Sequence, residues 1–152
     1  MQLPITEVSP VVANYGHAFH DVFQNKCQIR HFENYLTGLI TLENKSMANM
    51  ARCILDSADK TNISRFLTDA KWDAAELNQA RLQFMLAQTV KQRRKAKDSV
   101  LPIDDTLCEH VGNLFEYVDR HYNHTDKTYP IAHNLVTAHY VSGAVRFPID
   151  YR

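Results

Sequence analysis

The chain has 152 residues, 45% of them hydrophobic and 22% charged, and its 17 basic residues balance 17 acidic ones for a formal net charge of zero. That is ordinary for a globular protein of one domain, or of a small domain plus part of another. It excludes a global field that would draw the whole chain to nucleic acid, although local segregation of charge still can. Cys27, Cys53 and Cys108 are odd in number and lack Cys-x-x-Cys spacing, which speaks against a disulfide framework or a zinc ribbon and for free thiols in a reducing cytosol. The N-terminus lacks the basic-then-apolar pattern of a signal peptide, and no apolar run approaches the roughly 18 residues that span a membrane.

In chain order, residues 8 to about 90 read as helices. Val11, Val12, Tyr15, Phe19, Val22 and Phe23 recur at helical spacing, as do Phe32, Tyr35, Leu36, Leu39 and Ile40. Gly38 weakens the second helix by about 1 kcal/mol against Ala. A third stripe, Met47, Met50, Ala51, Ile54 and Leu55, ends near the polar Asp56-Ser-Ala-Asp59. The segments 46–56 and 61–69 have the lengths of a helix-turn-helix whose second helix would expose Asn62, Ser64, Arg65 and Thr68 to phosphates or base edges. A plain helical hairpin with a solvated face explains the same pattern. Asp73-Ala-Ala-Glu76 fits a capping box that starts a further helix, continued by Leu77, Ala80, Phe84 and Met85.

Lys91-Gln-Arg-Arg-Lys-Ala-Lys97 is the densest charge run. Lys91, Arg93, Arg94 and Lys95 could neutralise backbone phosphates, or simply form a solvated helix end where the dipole favours cations.

From Val100 the pattern changes to strand. Val100 to Ile103 is apolar and delivers Asp104 and Asp105 at its end, with Pro102 awkward because it removes a ladder donor. Residues 107–130 are polar and aromatic. Ile131 to Val141 reads as a long strand, with Leu135, Val136, Ala138, Tyr140 and Val141 suited to burial on both faces. Ser142-Gly143 reads as a two-residue hairpin turn, after which Val145, Phe147, Ile149 and Tyr151 alternate with polar neighbours. The alternation still runs at Arg152, so the expectation is a truncated enzyme whose sheet is unfinished.

A rigid carboxylate at a strand end can serve as a magnesium ligand, since Mg²⁺ takes oxygen donors from one or two carboxylates plus substrate phosphates. Successive strand residues face opposite ways, so only one of Asp104 and Asp105 can point into such a site. The other would bond backbone, and both can equally well start a turn. His110, His121, His124, His133 and His139 crowd the C-terminal third, but their spacing matches no zinc motif. A His-rich transition-metal site stays open beside plain polar roles. There is no Gly-rich phosphate loop and no Gly-x-Ser-x-Gly elbow.

Ile103-Asp-Asp-Thr106, Gly112, His121-Tyr-Asn-His124, Ala132-His-Asn-Leu-Val-Thr137 and Val145-Arg-Phe-Pro-Ile-Asp-Tyr151 together resemble the start of the catalytic domain of DDE-type insertion-sequence transposases. Ile63-Ser-Arg-Phe-Leu-Thr-Asp-Ala-Lys-Trp72 resembles the helical segment before it, so the likeness covers roughly residues 28 to 152. Two positions depart from the pattern: His110 stands where many relatives carry Lys, and Ala132 where they often carry Gly.

The resemblance implies an α+β chain. A helical, helix-turn-helix-like DNA-binding domain with a basic linker would occupy residues 1–97. Residues 98–152 would begin an RNase H-like mixed sheet whose first strand carries the first catalytic Asp. It maps that Asp and its metal-ligand role onto Asp105, with Asp104 the lesser choice. Arg65, Lys91, Arg93, Arg94, Lys95, His133 and Asn134 are the candidates for DNA contact.

The implied chemistry is nicking at transposon ends and strand transfer, assisted by Mg²⁺ or Mn²⁺ only in the complete catalytic domain. The second Asp and the final Glu are expected beyond Arg152, and this polypeptide alone is expected to be inactive. The implied partners are transposon-end DNA and a second copy or an intact transposase, with no membrane. The implied location is the cytoplasm, at the nucleoid. The rival expectation is a non-catalytic DNA-binding or regulatory module.

Overall fold

The computed structural model describes residues 4–54, 60–95, 98–110 and 116–152. The chain is α+β, as expected, and divides into two compact units, residues 1–84 and 85–152. The expected turn at Asp56–Asp59, together with Leu55, Lys97 and Gly112, lies outside the described residues.

In the first unit, Ser9 caps α1 (Pro10–Tyr15), its hydroxyl accepting from the Val12 N–H at 3.4 Å. The apolar stripe expected to run as one helix to Phe23 instead tightens into a 3₁₀ segment, Gly16–Val22. Asn25 caps α2 (Lys26–Thr41), and Ser46 caps α3 (Met47–Cys53). Each side-chain oxygen satisfies one N–H that the helix start leaves without an intrahelical partner.

Gly38 sits where α2 meets α3. A Cβ there would lie 2.9 Å from both Cγ and Sδ of Met50, which is fully buried. The helix-weakening glycine is thus explained by close approach. Ile54 leaves α3 and bridges to Ile5, and with Leu42, Met50, Cys53 and Ile63 it forms one apolar cluster.

The second cluster is aromatic. Phe23, Phe32 and Phe66 are buried, with Phe19, Trp72 and Leu77 packed around them. Phe66 lies on α4 (Lys60–Thr68) and stacks on Trp72 at 5.7 Å between ring centroids, while the Trp72 indole N–H donates to the Phe66 carbonyl at 2.8 Å. Burying each such ring removes enough apolar area to be worth about 1.5–3 kcal/mol. Asp73 caps α5 (Ala74–Gln88), accepting from the N–H groups of Ala75 at 2.6 Å and Glu76 at 3.0 Å.

The second unit holds the end of α5, the short α6 (Val90–Arg93), and strands β1 (Ile103–Glu109), β2 (Asp119–Arg120), β3 (Ile131–Ser142) and β4 (Val145–Tyr151). β3 is the spine, and β1, β2 and β4 all pair with it antiparallel. The mixed character expected of the sheet is therefore not found among these strands.

Four details depart from expectation. Asp104 and Asp105 lie within the start of β1, not at the end of a strand, because the ladder breaks just before them. Val100 bridges Val141, then Pro102 accepts from the His139 N–H at 3.0 Å but has no N–H to return. The polar and aromatic stretch that begins at residue 107, not counted with the strands, is strand as far as Glu109.

The hairpin turn is Gly143–Ala144, one residue later than expected, since Ser142 pairs with Val145 and Gly143 takes φ 60°. Leu135, Ala138, Tyr140 and Val141 are only half-buried and Val136 is exposed. Burial in β3 falls instead on Ala132 and Ser142, with Val145 and Phe147 of β4 beside them.

Register slips at Ala138/His139, leaving Ile149 as an extra residue in β4. Pro148 sits at this bulge opposite His139, whose N–H points to the β1 side, so the proline forfeits no bond there.

Candidate active site

Strand alternation decides what each acid can do. Asp105 pairs with Val136 and Leu107 with Asn134, so Asp105, Leu107 and Asn134 share one sheet face, while Asp104 and Thr106 point to the other. Asp105 lines a cleft of about 480 Å³ with Thr106, Leu107, Asn134 and the 121–125 segment, which brings in His121, Tyr122 and His124. Asp104 is held to the backbone. Its carboxylate accepts from the Asp105 N–H at 3.1 Å, and its carbonyl accepts from the Thr137 hydroxyl at 3.4 Å.

His133, next to Asn134 in sequence, faces away from the cleft. Its Nδ1 meets Nε2 of His110 at 2.7 Å, and its Nε2 reaches the Glu116 carbonyl at 2.7 Å. The structure thus brings Asp105 and Asn134 together and sets Asp104 and His133 on the opposite face.

His121 and His124 enter the cleft wall through the small hairpin 121–130. His121 N–H donates to the Pro130 carbonyl at 3.1 Å and Asn123 N–H to the Thr128 carbonyl at 2.9 Å. The Asn123 amide also reaches Glu109 at 3.4 Å and Asp126 at 3.1 Å, which ties the hairpin to the end of β1. Tyr122 is a cleft residue that the sequence reading left out. Its signal was the His-Tyr-Asn-His run itself, in which only the histidines were weighed as site residues.

The expected DNA-contact residues lie elsewhere. Arg65 is exposed on α4, lining a shallow hollow with Gln28, His31, Asn62, Phe66 and Asp69. Ser64 and Thr68 are also exposed, whereas Asn62 is half-buried. Lys91, Arg94 and Lys95 are exposed. Arg93 is spent internally, its guanidinium donating to the Thr89 hydroxyl at 3.2 Å and to the Leu86 carbonyl at 2.8 Å, where it closes the last turn of α5. Hydrogen bonds from Ser99 and Ser142, with a smaller contribution from Arg93, hold the Tyr140 phenol below its ordinary pKa.

Among the described residues no group of three His, Cys, Asp or Glu side chains could hold a metal ion. Magnesium favours carboxylate oxygen, and the cleft offers it from Asp105 alone. The residues present therefore do not make a complete Mg²⁺ site. The same finding applies to a histidine metal site built from the 110–139 cluster. No helix among the described residues is long and apolar enough to cross a membrane.

Residues 18–152 match the family model for the DDE superfamily endonucleases, and the chain belongs to that family. Members of the family generally use a divalent metal and act on DNA. No curated protein and no solved structure matches the chain.

Proposed function

We propose that this chain is the N-terminal part of a transposase that binds transposon-end DNA and, in the full-length protein, nicks it and transfers the freed strand. The observation that carries this reading is the placement of Asp105, alone of the adjacent acids, in the β1 cleft beside Asn134, His121 and His124. Within it, residues 1–97 bind DNA ends and 98–152 begin the catalytic domain.

Arg65 on α4 and the exposed Lys91, Arg94 and Lys95 contact phosphates, each contact adding to the salt dependence of binding. Asn134 presents an amide that both donates and accepts. Mg²⁺ or Mn²⁺, bound by the complete domain, would supply the positive charge that an in-line displacement at phosphorus needs. Asp105 is the one ligand assigned to this chain, and the remaining carboxylates are assigned to residues outside these 152. A second copy or an intact transposase would be the protein partner, in the cytoplasm at the nucleoid.

The incomplete ligand set also supports a second reading, a non-catalytic module that binds ends and regulates an intact enzyme. The reading frame past codon 152 separates the two. A further strand-borne Asp and a helix-borne Glu would support the enzyme. Unrelated sequence would leave the module. In a polypeptide carrying all three acids, Asp105→Asn should lower plasmid nicking by about a hundredfold or more. Asp104→Asn should cost far less, because its carboxylate bonds backbone on the other face. Equal losses would defeat the assignment.

A further inference from the structure

The helical unit holds a thiol and an imidazole that the DNA reading does not use. Cys27 stands in the first turn of α2, just after the Asn25 cap and Lys26. The thiol is exposed, and its sulfur lies 3.3 Å from Nε2 of His31, one helical turn further on. A thiol and an imidazole four residues apart can be a plain helix-surface pair. Here the partners differ in burial. His31 is only 8% exposed, its ring set against Phe66 at 6.1 Å between centroids. A fixed imidazole thus presents one nitrogen to a sulfur that meets solvent. The other two cysteines lack this combination. Cys53 is buried, and its S–H donates to Asn49 Oδ1 at 3.7 Å. Cys108 is exposed and pairs in register with His133, but both ring nitrogens of that histidine are engaged, by His110 and by the Glu116 carbonyl.

We infer that Cys27 is a nucleophilic thiol, a modification site for small disulfides, with His31 as the group that takes its proton. The attacking species is the thiolate. The start of a 16-residue helix favours negative charge on this sulfur, and so does the imidazolium that forms as the proton arrives. In the reaction the proton passes from Sγ of Cys27 to Nε2 of His31, and the sulfur attacks one sulfur of the disulfide. A new S–S bond forms as the old one breaks, and the departing thiolate takes up a proton and leaves as a thiol. The disulfide is itself the oxidant. His31 also lines the hollow of about 280 Å³ with Gln28, Asn62, Arg65 and Phe66, which gives the retained half of the disulfide room beside the helix.

The test treats the reduced 152-residue chain with hydroxyethyl disulfide, an uncharged probe, at neutral pH. Acid quenching and peptide mass spectrometry then give a rate of mixed-disulfide formation for each cysteine. Cys108 is the exposed reference, and Cys53 reports unfolding. Lys26 beside Cys27 and Glu109 beside Cys108 bias the two rates even in an unfolded chain, so the ratio measured in concentrated urea is the baseline. In the folded chain the ratio of Cys27 to Cys108 should exceed that baseline about tenfold. His31→Gln should remove most of this excess while Cys53 stays protected.

A folded ratio no higher than the urea baseline would overturn the inference. So would a folded His31→Gln chain with the ratio of the wild type. If His31→Gln exposes Cys53, the variant has lost its fold, and the wild-type comparison between native buffer and urea decides alone. None of these readings depends on DNA or on Asp105.

Discussion

At the scale of single residues, neighbours in sequence have been given different work by backbone direction. Asp104 and Asp105 differ by one position and face opposite sides of β1, as do His133 and Asn134 on β3. Arg93 and Arg94 divide likewise, one closing a helix end and the other left to solvent.

Under the proposed DNA-end reading, Arg94→Ala and Lys91→Ala should each lower the salt dependence of DNA binding by about one phosphate contact. Arg93→Ala should instead lower the stability of the second unit. Salt-titrated anisotropy and urea unfolding would tell these effects apart, and an Arg93→Ala chain of full stability would contradict the assignment. Gly38 is a further case. Ala there would gain about 1 kcal/mol of helix propensity but push a Cβ to 2.9 Å from buried Met50. Overpacking costs about 1–3 kcal/mol, so Gly38→Ala should destabilise on balance in a urea melt, and pairing it with Met50→Ala should show strong coupling.

At the scale of elements, the Asp73 cap was the most legible feature, because it rests on local chemistry. Asp73 before α5 is satisfied as its spacing predicts, and Asp73→Ala should cost about 1 kcal/mol. The β3–β4 hairpin was legible as a hairpin but its turn shifted by one residue, since Ser142 and Gly143 are both turn formers and only the pairing of Ser142 with Val145 decides between them. Gly143 at φ 60° is then the position where any side chain would be strained. Gly143→Ala should destabilise the sheet by about 1–2 kcal/mol, read as faster amide exchange in β4 with no change in α2. Burial along β3 was not legible, because a run of Val, Leu and Ala fits a strand buried on both faces as well as one half-covered.

At the scale of the whole molecule, the two units differ in how much apolar surface they bury. The first buries Val12, Phe23, Phe32, Leu42, Met50, Ile54, Ile63 and Phe66 among others. The buried hydrophobics described in the second are Ala132, Val145 and Phe147, while Ile103 at 67% exposure and Tyr151 lie open. At about 25 cal/mol per Å² of apolar area, the first unit holds the larger reserve. Hydrogen exchange should therefore show β1 and β4 opening at lower free energy than α2 and α4. Trp72, the single tryptophan, packs on Phe66 in the first unit. Its emission should report that unit alone and lag behind loss of sheet signal in urea, and coincident transitions would count against the difference.

The sequence by itself determined the α+β division, the start of α5, the family, and the adjacent pair of acids as the candidate site. These follow from periodicity, short-range capping and a run of motif residues, all of which are local. Only the tertiary structure decided which acid enters the cleft, that Asn134 joins it while His133 turns away, that Tyr122 stands in its wall, and why Gly38 is a glycine. Each of these depends on pairing register or on contact between segments distant in the chain, and a one-residue shift in register would send every one of those strand side chains to the other face.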